Sequence, residues 1–210
     1  MTAGETALTT GEDGCYYVIK GGWILVAMES LTGHFLISTP QMPDPRFQEQ
    51  VIYLCAHNEE GAMGLVINNP NPEITLLDVL HGSNLAIPEG PLPPVYMGGP
   101  VEVDAGFILC STDTPERYSV EVKPGVYLSR DSRLLEDISL GLGPKCFLFM
   151  LGYAGWGAGQ LEDELVDNSW LTVPADLEVL FHTPDGQKWK KAAQKFGVDI
   201  ATFGDVIGYA

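Results

Sequence analysis

Short runs of apolar, β-branched and aromatic residues, separated by turn-forming residues, fill the chain from Leu31 onward. Such runs predict β-strands, here at Phe35–Ile37, Val51–Cys55, Met63–Ile67, Val95–Met97, Phe107–Cys110, Tyr118–Val122 and Cys146–Leu151. Segments with helical spacing predict helices at Leu76–His81, Ser132–Leu140, Gln160–Asp167 and Gln187–Phe196. Because strands follow one another more often than they alternate with helices, the pattern predicts an α+β fold with a largely antiparallel sheet.

Turn and cap signals refine two of these segments. Ser132 is expected to cap the second helix, and Gly141 and Gly143 mark its end. The proline-rich stretch Pro88–Pro94 is short and is followed at once by strand-like sequence. It is therefore interpreted as a loop inside the domain.

Residues 1–30 differ in character from the rest of the chain. A polar Thr/Gly/Glu stretch leads into a short β-like apolar run that ends near Met28. We interpret residues 1–30 as an N-terminal extension; for residues 1–27 an extension, an added strand and a mis-assigned start codon stay open. Residues 31–210 are predicted to form a single domain, since their length is common for one.

The charge balance limits the partners that the protein can have. The formal net charge is −17, from 28 acidic and 11 basic residues, so the field repels phosphate backbones and anionic lipids. Four irregularly spaced cysteines without a C-x-x-C pair indicate reduced thiols. The thiols therefore predict a cytoplasmic protein, and the charge predicts no direct binding to nucleic acid. No apolar run reaches the roughly 20 residues of a membrane span, so no membrane-spanning segment is predicted.

Four motifs follow one another along the chain. They are HFLISTPQMPDPRFQEQVIYLCAHNEEGAMGLVINNP (His34–Pro70), VYMGGPVEVDAGFIL (Val95–Leu109), LGYAGWGAGQLEDELVDNSWL (Leu151–Leu171), and a C-terminal PADLEVLFHTP followed by FGVDI. In this order they resemble the YqgE/AlgH family over residues 31–210. The resemblance implies a bacterial protein whose antiparallel sheet is curled into a pseudo-barrel and flanked by helices. It implies no catalytic residues, and the family name suggests a transcriptional regulator.

Cys55 and His57 are two residues apart on a predicted strand, so both are expected on one face. A thiolate and an imidazole placed together can bind a metal or act as nucleophile and base. A closed zinc site needs four ligands, and His34 and Cys110 are further candidates by residue type only. The preferred interpretation is simpler: Cys55 is a small buried residue and His57 leads into the turn at Asn58, so no metal is predicted.

The segment from Gly152 to Gly159 is rich in glycine and predicts a connection from a strand into a helix. Free N–H groups and the helix dipole hold anions at such connections. The segment lacks the spacing of a phosphate loop or a dinucleotide fingerprint, and Glu162 would repel a phosphate. Tyr153 and Trp156 are therefore interpreted as core or lip aromatics between structural glycines.

Gly98, Gly99 and Pro100 predict a tight turn before another strand. Asp104, which follows, either caps local backbone N–H groups or faces a pocket, and capping is the preferred interpretation. Several carboxylates are candidates for an acid–base pair, but spacing does not show their proximity. No catalytic role is assigned.

A basic cluster lies on the last predicted helix and consists of Lys188, Lys190, Lys191 and Lys195. Apolar residues recur on the same helix at helical spacing, namely Trp189, Ala192, Ala193 and Phe196. The pattern predicts an amphipathic helix docked on the core with a solvated, lysine-rich outer face.

Three functional hypotheses follow. The leading one is a noncatalytic regulatory or binding protein that acts through an unknown protein or small-molecule partner and needs no cofactor. The second is an enzyme of unknown reaction with a pocket near His57 and Asp104, and the third is a DNA-binding transcriptional regulator. The candidate ligand-binding residues are His57, Asn58, Asn68, Gly98, Gly99, Asp104, Tyr153, Trp156 and Gln160.

Overall fold

The computed structural model describes residues 30–111 and 118–200, together with the backbone of three short strands nearer the N-terminus. The chain divides into two compact units, Met1–Leu31 and Thr32–Ala210. In the first, β1 (Ala7–Gly11), β2 (Gly14–Ile19) and β3 (Trp23–Leu25) form an antiparallel sheet. Met28, at which the chain would begin if the start codon is mis-assigned, lies outside the described residues. The domain boundary at residues 30 and 31 stays a prediction.

The larger unit is built on a ten-stranded sheet. Its strands are β4 (His34–Ser38), β5 (Val51–Asn58), β6 (Gly61–Val66), β7 (Pro70–Thr75), β8 (Pro94–Met97), β9 (Val101–Ser111), β10 (Val120–Lys123), β11 (Val126–Ser129), β12 (Phe147–Gly157) and β13 (Trp170–Pro174). The order is β10-β11-β9-β12-β6-β5-β4-β13, with β8 beside β12 and β7 beside β8. Every described pair except β8–β12 is antiparallel. The sheet is strongly curled into a half-barrel, so the predicted fold class is confirmed.

The helices of the described residues lie beside this sheet. They are α1 (Leu76–Gly82), α2 (Ser132–Ser139), α3 (Gln160–Val166) and α4 (Asp185–Gln194), with a 3₁₀ turn at Pro45–Phe47 and a π-helical turn at Glu178–His182. Each predicted strand and helix overlaps one of the observed elements. Strands β7, β11 and β13 were not predicted. Strand β7 contains two prolines and is mostly exposed.

Helix α2 begins and ends through recognisable caps. Its N-cap is Asp131, not Ser132 as predicted, and the Asp131 carboxylate accepts a hydrogen bond from the Arg133 N–H at 2.9 Å. The same carboxylate also binds the Arg133 side chain, so Asp131 is anchored at the helix start in a way that Ser132 is not. The predicted end is confirmed, since Gly141 follows the helix with a φ of 72°.

Two apolar clusters occupy opposite faces of the sheet. Alternate residues of a strand point to opposite sides, and in β9 Phe107 and Leu109 belong to one cluster while Ile108 and Cys110 belong to the other. The first cluster includes residues of the π-helical turn and α4, and the second includes residues of α1 and α2. Residues of β9 therefore contribute to both cores.

The amphipathic character of α4 is confirmed, because three of its apolar residues are buried: Trp189, Ala192 and Ala193. Phe196, in contrast, lies beyond the end of the helix and is 44% exposed. The prediction that Phe196 docks on the core is therefore wrong.

Lys188 was predicted on the solvated face of this helix and is instead buried, with 1% of its surface exposed. Its Nζ donates to the Ile67 carbonyl at 2.7 Å and pairs with the Asp185 carboxylate at 3.0 Å. It also lies 5.3 Å from the centre of the Tyr96 ring. Burial lowers the pKa of Lys188, and these contacts satisfy its ammonium group within the core.

The glycine-rich connection predicted at residues 152–159 is wrong over most of its length, because β12 continues to Gly157 and pairs there with β6. A Cβ atom on Gly152, whose φ is +71°, would lie 2.4 Å from the Gly99 carbonyl oxygen. A Cβ atom on Gly99 would lie 2.1 Å from the Tyr153 carbonyl carbon. Glycine therefore allows two backbone segments to approach closely, and the strand continues beyond that point.

Candidate functional site

An open groove of about 710 Å³ lies where β5, β6, β9, β11 and β12 come together. Its apolar lining includes Met63, Val101, Phe107, Leu128, Tyr153 and Trp156. The volume lies within the range of small-molecule sites, and the apolar and aromatic lining is typical of them. This surface, called the groove below, is the main candidate site.

Arg130 forms part of the groove wall. Its guanidinium lies 4.7 Å from the centre of the Phe107 ring, and Phe107 meets Tyr153 edge to face at 5.7 Å. Arg130 also pairs with Glu102 at 2.8 Å, although both side chains are at least half exposed. Because exposed ion pairs contribute little, stacking on Phe107 fixes the guanidinium at least as firmly as Glu102 does.

The rim of the groove carries a negative charge from Glu60. The Asn58 side-chain oxygen accepts a hydrogen bond from the Glu60 N–H at 2.9 Å, which closes the turn between β5 and β6. Within the described part of the chain, the Glu60 carboxylate has no hydrogen-bond or ion-pair partner. With Arg130 and Glu102 neutralising each other, Glu60 determines the net charge of the groove.

Cys55 lies in the core, as the simpler interpretation predicts, at a bulge in the β5–β6 pairing. Burial raises the pKa of the Cys55 thiol, which disfavours the nucleophilic thiolate. The His57 Nε2 lies 2.7 Å from the Glu162 carboxylate of α3, and the His57 side chain is 6% exposed. Among the described residues, no group of three or more His, Cys, Asp or Glu side chains is arranged to hold a metal.

The groove residue Trp156 is held from behind by α3. Its indole N–H donates to Glu164 Oε2 at 2.9 Å, and the Trp170 N–H donates to the same oxygen at 2.7 Å. Gln160 donates to the other Glu164 oxygen at 3.0 Å and accepts from the Gly157 N–H at 3.1 Å. Glu164 therefore fixes two tryptophan rings, of which Trp156 faces the groove.

A second pocket of about 260 Å³ is bordered by Asp104. Asp104 makes no capping hydrogen bond to a backbone N–H of the described residues, so the capping interpretation is wrong and its alternative, a carboxylate facing a pocket, describes the geometry. Arg130 borders this pocket as well as the groove.

The predicted candidate residues fall into separate places. Asn58, Tyr153 and Trp156 line the groove. Asn68, which follows β6, bridges to the start of β5, because its side-chain oxygen accepts from the Val51 N–H at 2.8 Å. Gly98 joins two strands, since its N–H donates to the Leu151 carbonyl at 2.8 Å.

The remaining candidates do not meet in one cavity. His57 and Gln160 are bonded to the α3 carboxylates, Gly99 packs on the Tyr153 backbone, and Asp104 lies at the second pocket. Neither of these two pockets is lined by both His57 and Asp104. A pocket near both residues stays a prediction.

Sequence reasoning missed several groove residues, namely Glu60, Met63, Phe107, Leu128 and Arg130. Met63 lies within the quoted motif, and Phe107 lies on a predicted strand. They meet Arg130 only because β9 pairs with β11 and β12, and β12 pairs with β6. A lone arginine after a strand carries no signal by itself.

The fold and groove define an α+β protein built on a half-barrel sheet, and known proteins share this architecture. The AlgH-like family profile matches residues 35–201. A UPF0301 protein of Desulfotalea psychrophila is 48% identical over 181 residues, which cover 86% of this chain and 95% of that protein. A UPF0301 protein of Thioalkalivibrio sulfidiphilus is 44% identical over 187 residues, covering 89% and 100%.

A solved structure agrees with these sequence matches. The solution structure of the AlgH protein from Pseudomonas aeruginosa is 40% identical, with a TM-score of 0.69, and the match covers 88% of this chain and 98% of that one. The chain therefore belongs to the AlgH-like family, and the predicted resemblance is confirmed. The crystal structure of a Corynebacterium diphtheriae protein, 16% identical with a TM-score of 0.62, covers 78% and 85% and shares the fold.

None of the helices in the described part of the chain is long and apolar enough to cross a membrane.

Proposed function

We propose that this protein is a noncatalytic binding protein and that the groove holds a small organic cation with a flat, apolar body. The observation that carries the proposal is the combination of an aromatic floor with a negative rim: Phe107, Tyr153 and Trp156 below, and Glu60 above. The cytoplasmic location stays a prediction from the cysteines.

The floor supports a flat ligand. Phe107 and Tyr153 are fixed edge to face, and Trp156 is held by Glu164, so these rings are ordered before a ligand arrives. A preordered aromatic surface binds flat molecules without the cost of fixing its own side chains.

The charges support a cation. Arg130 is already paired with Glu102, whereas Glu60 has no partner among the described residues. The formal charge of −17 also attracts cations toward the surface and repels anions. An organic anion would meet this field and the negative charge of Glu60, while the charge of Arg130 is already shared with Glu102.

The groove residues are engaged in structural contacts that suit binding more than catalysis. Asn58 closes the turn and Arg130 lies on Phe107.

The DNA-binding hypothesis receives no support from the basic residues, since these described cations pair with carboxylates: Arg46, Arg130, Arg133, Lys188, Lys191 and Lys195.

Two dyes of opposite charge test the proposal. Thioflavin T is a flat aromatic cation, and 1-anilinonaphthalene-8-sulfonate is an aromatic anion. Titration calorimetry should show saturable binding of one thioflavin T per chain and at least about tenfold weaker binding of the anion. Equal affinities, or no binding of thioflavin T, would contradict the proposal.

Two pairs of variants locate the bound dye. Val101→Arg puts a cation into the groove and should weaken thioflavin T binding by at least about tenfold, whereas Val103→Arg, whose exposed side chain lies outside the groove, should not. Glu60→Gln should weaken it by about fivefold and Glu59→Gln should leave it unchanged. If Val101→Arg and Val103→Arg behave alike, the dye binds elsewhere and the groove is not the site.

A further inference from the structure

The second pocket lies on the face of β9 opposite the groove. Phe107 lines the groove, whereas its neighbours Gly106 and Ile108 line the second pocket, as the alternation of a strand requires. Val79 of α1 and Leu135 of α2 also line the pocket. The two sites therefore have different walls, except where Arg130 borders both.

The floor of this pocket is apolar and ordered. Ile108, Leu135 and Phe149 belong to the second core cluster and are almost fully buried. At about 260 Å³, the space lies below the range of about 300 to 1,000 Å³ typical of larger ligands. It suits a compact apolar body such as a single ring.

The position of Asp104 follows from an irregular pairing of β9 with β12. Val101 pairs with Tyr153 and Gly106 pairs with Leu151, so residues 102–105 stand opposite Gly152 alone. These residues bulge away from β12, and Glu102 has a φ of +46°. The bulge places Asp104, which is exposed, at the rim of the pocket.

The rim charges cancel except for that of Asp104. Arg130 pairs with Glu102, and Asp131 pairs with Arg133. In the part of the chain that the structure describes, Asp104 has no ion-pair or hydrogen-bond partner. The rim therefore has a net negative charge.

We propose that the second pocket is a binding site for small primary amines with a compact apolar body. The Asp104 carboxylate takes the ammonium group, and the hydroxyls of Ser83 and Ser132, which also border the pocket, accept two of its hydrogen bonds. An ammonium group has three donors, so a carboxylate and two hydroxyls match it. The apolar body lies on Ile108 and Phe149.

Benzylamine is the probe that tests this site. It is titrated into the full chain carrying ¹³C-labelled methyl groups, and NMR spectra follow the methyls of Ile108 and Leu135 in the pocket and of Met63 in the groove. We expect saturable shifts of Ile108 and Leu135, and benzoate, which has the opposite charge, should cause none at the same concentration. Benzyl alcohol should bind at least about fivefold more weakly than benzylamine.

A matched pair of variants isolates the carboxylate. Asp104→Asn should weaken benzylamine binding by about fivefold, the size of one partly exposed charge contact. Asp167→Asn, at the exposed C-cap of α3, should leave it unchanged. Unshifted Ile108 and Leu135 methyls, an equal response to benzoate, or equal affinities of the two variants would overturn the proposal. A shift of Met63 alone would place the amine in the groove, which rejects the second site without rejecting the function proposed for the groove.

Discussion

Trp170→Ala tests whether the tryptophan pair behind the groove stabilises the fold. Trp170 opens β13, is 4% exposed, and meets Phe47 at 5.7 Å and Trp156 at 6.1 Å, both edge to face. Removing a buried indole loses its transfer free energy and leaves a cavity, which costs about 3–5 kcal/mol. We expect the free energy of unfolding to fall by that amount.

A second substitution separates packing from hydrogen bonding. Trp170→Phe keeps one aromatic ring and removes the N–H that donates to Glu164 at 2.7 Å. The Glu164 oxygen keeps its bond from Trp156 at 2.9 Å, so no acceptor is left unsatisfied. The loss of one bond to a carboxylate and of part of the ring should cost about 2 kcal/mol.

Urea titrations followed by circular dichroism give both values. The midpoint should fall while the slope with urea stays constant, as expected when stability alone changes. Phe196→Ala, at a 44% exposed aromatic residue, is the control and should cost less than about 1 kcal/mol. A loss below about 1 kcal/mol for Trp170→Ala, or equal losses for the two Trp170 variants, would refute the reasoning.

Two further predictions concern a close backbone contact and a surface carboxylate. Gly99→Ala should lower the free energy of unfolding by at least about 2 kcal/mol, because its Cβ would lie 2.1 Å from the Tyr153 carbonyl carbon. Gly82→Ala, whose Cβ would have no atom within 4 Å, is the control. Equal urea midpoints of the two variants would contradict the close contact at Gly99. Hydrogen bonds from Arg133 hold the pKa of Asp131 at about 2, so Arg133→Gln should raise that pKa toward about 3.9 in an NMR titration. Because the folded pKa is depressed, the stability that Arg133 adds is present above about pH 4 and is lost as the pH falls through about 2; an unmoved pKa would contradict this.

Much of the fold was predictable because the decisive signals are local. An apolar run predicts strand β5, and helical spacing followed by glycines predicts helix α2. Strand β7 was not visible in the sequence, because its prolines oppose strand formation. It is extended because it pairs with β8. The extension of β12 beyond Gly152 was also unpredictable, because glycine signals a turn in sequence and a close backbone approach only in three dimensions.

The sites were less predictable because they depend on contacts between distant strands. The groove residues Tyr153 and Trp156 attracted notice as aromatics among glycines, but Arg130 becomes part of the same wall only through the pairing of β11 with β9. The charge of Lys188 predicted an exposed side chain, but the Ile67 carbonyl that accepts its hydrogen bond lies 121 residues away in the sequence. No spacing within a helix reveals such a partner.

Arg130 has a consequence for any pair of molecules that binds this protein. The same guanidinium borders the groove and the second pocket, so an occupant of one site that moves it changes the free energy of occupying the other. Thermodynamic linkage makes this effect reciprocal: if a ligand in the groove alters amine affinity by some factor, the amine must alter the affinity of that ligand by the same factor. A single side chain would then make the occupancy of each site depend on the concentration of the ligand at the other.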